Sequence, residues 1–248
     1  MTMPHAADLA VRTFTPQGDG DGPPVLLLHG FASDGRQDWV ETGIAEELAA
    51  AGRTVIVPDL PGHGDSPPPA GPGSATAPAI AAALLALVDG GAFDVVGYSL
   101  GARLAWELPE LDASRVRRVV LGGLSPFEPF AAVDVAALRE AVTGAAAPGD
   151  PLVGMLAGMI GHAAHGSPER AAGLVTCVAG LRSTPFEPKK WAGDSPPLFV
   201  AGADDQMTSG IEAVVALAPG ARLARVPGDH RLALTGAEFR AEIGRTLG

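Results

Sequence analysis

Gly97-Tyr98-Ser99-Leu100-Gly101 follows the apolar run Phe93-Asp94-Val95-Val96 and leads straight into Ala102-Arg103-Leu104-Ala105-Trp106. A serine on a sharp turn between a buried strand and a helix has a strained backbone and a hydroxyl pushed out of the fold, which suits nucleophilic attack. The flanking glycines have a steric job, because a Cβ at either place would strike the neighbouring strand or helix. The first N–H groups of such a helix also point at whatever the serine attacks. A hydroxyl needs a base at neutral pH, and the base needs an acid to orient it.

Six histidines are available: His5, His29, His63, His162, His165 and His230. His230 stands in the loop Pro227-Gly228-Asp229-His230, between the last strand and the last helix of the pattern. Loops leaving the carboxyl ends of parallel strands share one rim with the serine turn, so His230 is the expected base. Gly202-Ala203-Asp204-Asp205 leaves another strand on that rim and offers two carboxylates, of which only one can face the imidazole. The residues themselves leave Asp204 and Asp205 open. The backbone N–H groups of Phe31, in His29-Gly30-Phe31, and of Leu100 are the expected donors to a tetrahedral oxyanion. His29 reads as a structural hydrogen-bonding residue beneath that hole. His5 falls near the chain start, and His162 and His165 fall on a helix without the spacing of a metal motif. No metal and no cofactor are expected.

The elements that must carry these residues alternate. Apolar runs predict strands at 8–14, 25–28, 54–57, 93–96, 116–121, 198–201 and 223–226, with a Gly/Asp/Pro turn over 17–24. Helices are predicted at 38–51, 79–88, 100–109, 209–217 and 236–247. That rhythm implies an α/β fold with a doubly wound, mostly parallel sheet. Between residues 125 and 194 the rhythm stops. Helical Ala/Leu/Met segments at 133–142, 152–162 and 169–181 read as an all-helical insertion that acts as a lid. The division expected is a core of 1–124 and 195–248 with a cap of 125–194. Phe127, Phe130, Met155, Met159, Phe186 and Trp191 are apolar insertion residues placed to line a pocket or to pack the lid onto the core.

At 248 residues the chain suits one domain, and its sole cysteine, Cys177, leaves no internal disulfide and no cysteine-based zinc cluster. A net charge of −11 argues against nucleic acid and anionic membranes as partners. With neither a signal-like start nor a spanning apolar run, the expectation is a cytoplasmic protein acting on a small molecule. No arginine cluster supports a phosphorylated or CoA-linked substrate.

Taken in order, His29-Gly30-Phe31, Asp59-Leu60-Pro61-Gly62-His63-Gly64-Asp65-Ser66, the Ser99 turn, Gly202-x-x-Asp205 and His230 resemble the α/β-hydrolase superfamily, in its bacterial esterase and lipase-like branch. The resemblance runs over nearly the whole chain. It implies Asp205 rather than Asp204 as the acid, the Asp59–Ser66 stretch as a structural turn, and the insertion as a cap over the site. Asp229 departs from the glycine frequent at that place and is expected to compete for the imidazole or tune it. The activity implied is hydrolysis of small, fairly apolar esters or lactones. Cleavage of a carbon–carbon bond in a ring-cleavage product shares every one of these residues, and a ligand receptor with little turnover is a third reading. Haloalkane dehalogenase and epoxide hydrolase chemistry is disfavoured, since those members place an aspartate where Ser99 stands.

Overall fold

The computed structural model describes residues 9–16, 20 and 22–248, so His5 and residues 17–19 and 21 of the first turn lie outside it. Seven strands form one sheet: β1 (Val11–Phe14), β2 (Gly22–Leu28), β3 (Arg53–Pro58), β4 (Phe93–Tyr98), β5 (Val116–Gly122), β6 (Leu198–Gly202) and β7 (Arg222–Val226). Their order is β1-β3-β2-β4-β5-β6-β7. Only the β1–β3 pairing is antiparallel among these neighbours.

The apolar runs are strands because both faces of the sheet are covered, and the pleat deals alternate residues to the two sides. Leu26, Leu28, Val95, Val119, Leu121 and Phe199 enter one apolar cluster. Val25, Leu27, Val96, Val120, Leu198 and Val200 enter the other. The second cluster is closed by α1 (Ile44–Ala50), α8 (His230–Thr235) and α9 (Ala237–Leu247), through Ile44, Leu234 and Phe239. The first is closed by α2 (Ala77–Leu85), α3 (Leu100–Asp112) and α7 (Glu212–Val215), through Ile80, Leu104 and Val214.

Between β5 and β6 come α4 (Val135–Thr143), α5 (Pro151–Ala163) and α6 (Pro168–Ser183). Asp134, Asp150 and Ser167 cap their N-termini by accepting from backbone N–H groups of the first turn. Leu138, Val153, Leu156, Ile160, Leu174 and Val178 are buried in the same cluster as the sheet. The insertion therefore has no separate core, and its apolar face is spent on the sheet-and-helix body beneath it.

One expected helix is split, and one helix forms where a loop is expected. The helix read as 38–51 is a π-helical turn, Arg36–Val40, followed by α1. Asp38 sits inside that turn with a buried carboxylate, and Gly43 in the left-handed region (φ 76°) restarts the chain as α1. The helix read as 236–247 is α9, and the stretch from His230 before it, read as loop, forms the short helix α8, which Gly236 (φ −71°, ψ 148°) separates from α9. Apolar periodicity continues across the break at Gly43, which is why the residue pattern alone does not reveal it.

Candidate active site

The order of the sheet reverses at β2, whose neighbours β3 and β4 lead off in opposite directions, and a crevice opens at the carboxyl ends of such strands. Residues 29–33 leave β2 there, Ser99 leaves β4, Asp205 leaves β6 and His230 leaves β7.

Ser99 is held at φ 54°, ψ −114°, a conformation costly for a non-glycine residue. Its N–H donates to the Gly122 carbonyl at 2.8 Å, fastening the turn to β5. A Cβ on Gly97 would run into the Gly101 carbonyl, and a Cβ on Gly101 would run into that of Leu28. Both glycines are required by close approach of backbone to backbone.

His230 Nδ1 lies 2.7 Å from Asp205 Oδ2. The carboxylate accepts, so Nδ1 carries the proton and Nε2 is left bare as a base. Asp205 is buried, and its Oδ1 accepts from the Met207 N–H at 2.9 Å, while Asp204 is exposed. Asp229 does not compete for the imidazole. Its side chain caps α8 by accepting from the Arg231 and Leu232 N–H groups, which also holds its own pKa below the usual carboxylate range.

The loop after β2 is fixed from below. His29 Nε2 accepts the Leu60 N–H at 2.9 Å, so its proton resides on Nδ1, which donates to the Gly30 carbonyl at 2.8 Å. That carbonyl shares a planar trans peptide with the Phe31 N–H, so pinning one turns the other away from the buried His29. Among the described residues neither the Phe31 N–H nor the Leu100 N–H has an acceptor within the protein.

The residue pattern gave no warning of Asp38. Its Oδ2 accepts the Gly30 N–H at 2.9 Å, and its Oδ1 accepts the Ser33 hydroxyl at 2.6 Å and the Arg231 guanidinium at 3.2 Å. One buried carboxylate thus ties the loop after β2 to the residue following His230. Tyr98 was equally silent. Its hydroxyl donates to the His230 carbonyl at 2.6 Å, and burial raises its pKa, so it stays a donor. Asp38 belongs to no recognisable spacing, and Tyr98 fills an unspecified place in the serine turn; only folding brings Asp38 to Arg231 and Tyr98 to the last loop.

Gly30, Phe31, Tyr98, Ser99, Leu100 and His230 all line one cavity of about 430 Å³. Its roof is one face of α5, where Leu152, Met155, Leu156 and Met159 follow the spacing of neighbouring helical turns. Phe127, Phe130 and Phe186 complete the apolar wall, and Phe31 stands edge-on to Phe130 with ring centroids 5.0 Å apart. Trp191 was expected in this wall and is not there. It packs on Trp106 at 4.9 Å between ring centroids, and its Nε1–H donates to the Ser195 carbonyl at 2.8 Å. An indole whose N–H needs an acceptor is held at the insertion's exit rather than over the site.

The Asp59–Ser66 stretch is a turn. Asp59 accepts from Arg12, the Gly35 N–H and the Asp65 N–H, and Ser66 Oγ donates to the Asp59 carbonyl. His63 Nδ1–H and Cys177 Sγ–H both donate to the Pro61 carbonyl. Burial pushes the Cys177 thiol up to about 12, which makes it inert as a nucleophile. Among the described residues no cluster of three metal-ligating side chains occurs, and no helix is long and apolar enough to cross a membrane.

A family model described as alpha/beta hydrolase fold matches residues 23–141. The fold also overlays, across 96% of both chains, on the enol-lactonase of Burkholderia xenovorans LB400, with a TM-score of 0.72 at 20% identity. The chain has the α/β-hydrolase fold. A hydrolase from Pseudomonas aeruginosa PA01 overlays with a TM-score of 0.71 at 22% identity, covering 97% of this chain and 94% of that one. In sequence, Epoxide hydrolase 2 of Siraitia grosvenorii is 36% identical over 104 residues, 41% of this chain and 32% of that protein. The chain thus matches about a third of the length of that curated relative.

Proposed function

We propose that this chain of α/β-hydrolase fold is a serine hydrolase that cleaves small, fairly apolar carboxylic esters or lactones through an acyl-enzyme on Ser99. The observation that carries the reading is the shared cavity. A strained serine and an imidazole with a bare Nε2 open onto one apolar space, and a buried carboxylate stands 2.7 Å behind that imidazole. In this reading Ser99 Oγ attacks the carbonyl as His230 Nε2 takes its proton. The Phe31 and Leu100 N–H groups receive the oxyanion, and His230 returns the proton to the leaving alcohol. Water, deprotonated by the same imidazole, then releases the acid. Asp205 holds the tautomer and offsets the charge on the imidazolium.

The cavity volume falls in the range of small-molecule sites, and its lining of Phe, Leu and Met favours an apolar acyl or alcohol group. The match to an enol-lactonase fold agrees with ester or lactone chemistry, and serine at the turn supports an acyl-enzyme. We also assign 125–194 as a cap over a core of 1–124 and 195–248, supported by α5 forming the cavity roof. The test is hydrolysis of p-nitrophenyl esters from acetate to decanoate by the native protein and by Ser99→Ala. Multiple turnovers that vanish in the variant are expected, with an optimum at short or medium chains. Turnover that survives the substitution overturns the reading, and single-turnover behaviour would favour a receptor.

A further inference from the structure

The cavity wall carries four charged side chains besides the site imidazole: Asp38, Arg103, Glu128 and Arg231. Among the described residues the two arginines are the fixed cations of this wall, so their partners decide whether it accepts an anion.

Arg103 lies one helical turn beyond Ser99 on α3 and is buried. Each of its three guanidinium nitrogens already has an acceptor. Nε donates to Glu107 at 3.3 Å, one terminal nitrogen to Glu128 and the other to the Thr184 carbonyl. Glu128 is buried as well and is equally committed. Its Oε1 accepts the Phe130 N–H at 3.0 Å, and its Oε2 accepts the Phe186 N–H at 3.2 Å besides Arg103. The pair therefore joins α3 to the entry of the insertion at 128–130 and to its exit at 184–186. For Arg103 to turn toward a ligand, Glu128 would be left with an uncompensated charge in a buried place. Arg231, at the mouth, is 61% exposed and pairs with Asp38, so an anion approaching it also approaches that carboxylate. Cations and anions on the wall cancel two by two.

We propose that Glu128 sets the specificity of this cavity by neutralising Arg103, so that the site takes uncharged ligands and rejects carboxylates. The inference rests on the ester-cleft reading but concerns the ligand's charge. It also turns against carbon–carbon cleavage of substrates that carry a carboxylate, which need a free cation in the same wall.

The test is calorimetric binding at pH 8 of 4-(3-oxobutyl)benzamide and 4-(3-oxobutyl)benzoate, which share a ketone and differ in the charge of the tail. Binding does not depend on turnover, so failure of the esterase assay and failure here are separate results. The native protein is expected to bind the amide at least about tenfold more tightly than the carboxylate. Glu128→Gln, which leaves Arg103 with Glu107 as its one remaining carboxylate partner, is expected to narrow or close that gap by about tenfold. Equal native affinities, no binding of the amide, or an unchanged ratio in Glu128→Gln overturns the proposal. Should Glu128→Gln not fold, the double variant Arg103→Met, Glu128→Met removes both charges together. Its carboxylate affinity is expected within about threefold of native, and a loss of about tenfold or more would mean that Arg103 binds anions after all.

Discussion

Replacing Asp38 with alanine removes the acceptor for three donors at once: the Gly30 N–H, the Ser33 hydroxyl and the Arg231 guanidinium. The first two are buried, and leaving a buried donor without a partner costs about 1–3 kcal/mol each, whereas the half-solvated arginine loses little. A destabilisation of about 3 kcal/mol is expected, which for a chain of this size lowers Tm by roughly 6–12 °C. The effect on rate has another source. The Gly30 N–H and carbonyl are held by Asp38 and His29, and together they set the peptide plane that carries the Phe31 N–H. With one anchor gone that donor is no longer preorganised, and an oxyanion donor contributes about 10²–10³ in kcat. Asp38→Ala is therefore expected to lose about 10² in kcat with KM within about threefold, since the donor acts on the transition state rather than on bound ester. The assay is steady-state hydrolysis of the best p-nitrophenyl ester at a temperature where circular dichroism shows both proteins folded. Ser33→Ala, which removes only one partner of the same carboxylate, is expected to keep kcat within about fivefold. If Asp38→Ala retains kcat within a factor of about three while losing stability, the carboxylate only braces the fold and the positioning argument is wrong.

Ser99→Ala should abolish burst-phase acylation and leave roughly 10³–10⁴-fold acceleration over water from the remaining site; stopped-flow detection of a full burst would refute the nucleophile. Asp205→Asn keeps the shape but presents a donor or a weaker acceptor to His230 Nδ1, and kcat should fall by about 10⁴, whereas Asp204→Asn should change it little; the reverse ranking would move the acid to Asp204. His63 makes stability acid-sensitive. Burial, followed by the nearby His29, lowers its pKa from 6.5 to about 3, and its Nε2 has no partner to receive a proton. Above pH 6.5 neither folded nor unfolded chain binds that proton; between 6.5 and 3 only the unfolded chain does, so stability falls as the pH drops, by about 1.4 kcal/mol per unit. In urea titrations the native advantage over His63→Gln should shrink by about 2 kcal/mol from pH 7 to pH 5, and a difference independent of pH would show that His63 protonates freely in the fold.

The sequence by itself determined the α/β alternation, the place of the insertion and the candidate residues Ser99, His230 and Phe31. Each of these depends on local chemistry: an apolar run buried on both faces, a turn that only glycine fits, or a histidine in the loop after a strand. It left Asp204 and Asp205 undecided on their own chemistry, because adjacent carboxylates differ only in which way the chain turns them. Tertiary structure separated them by placing Asp205 Oδ2 against His230 and Asp204 in solvent. It also turned Asp229 into a helix cap, packed Trp191 on Trp106, split the helix expected at 38–51 and wound the loop from His230 into α8. Asp38 and Tyr98 belong wholly to the fold, since their partners lie up to 193 and 132 residues away in the chain. The charge of the cavity wall is of the same kind. Arg103 and Glu128 are single ordinary letters 25 residues apart, and only packing the insertion against α3 makes them a buried pair that cancels. Local geometry can be read from neighbours in sequence, but the pairing of buried charges depends on which elements the sheet order brings together.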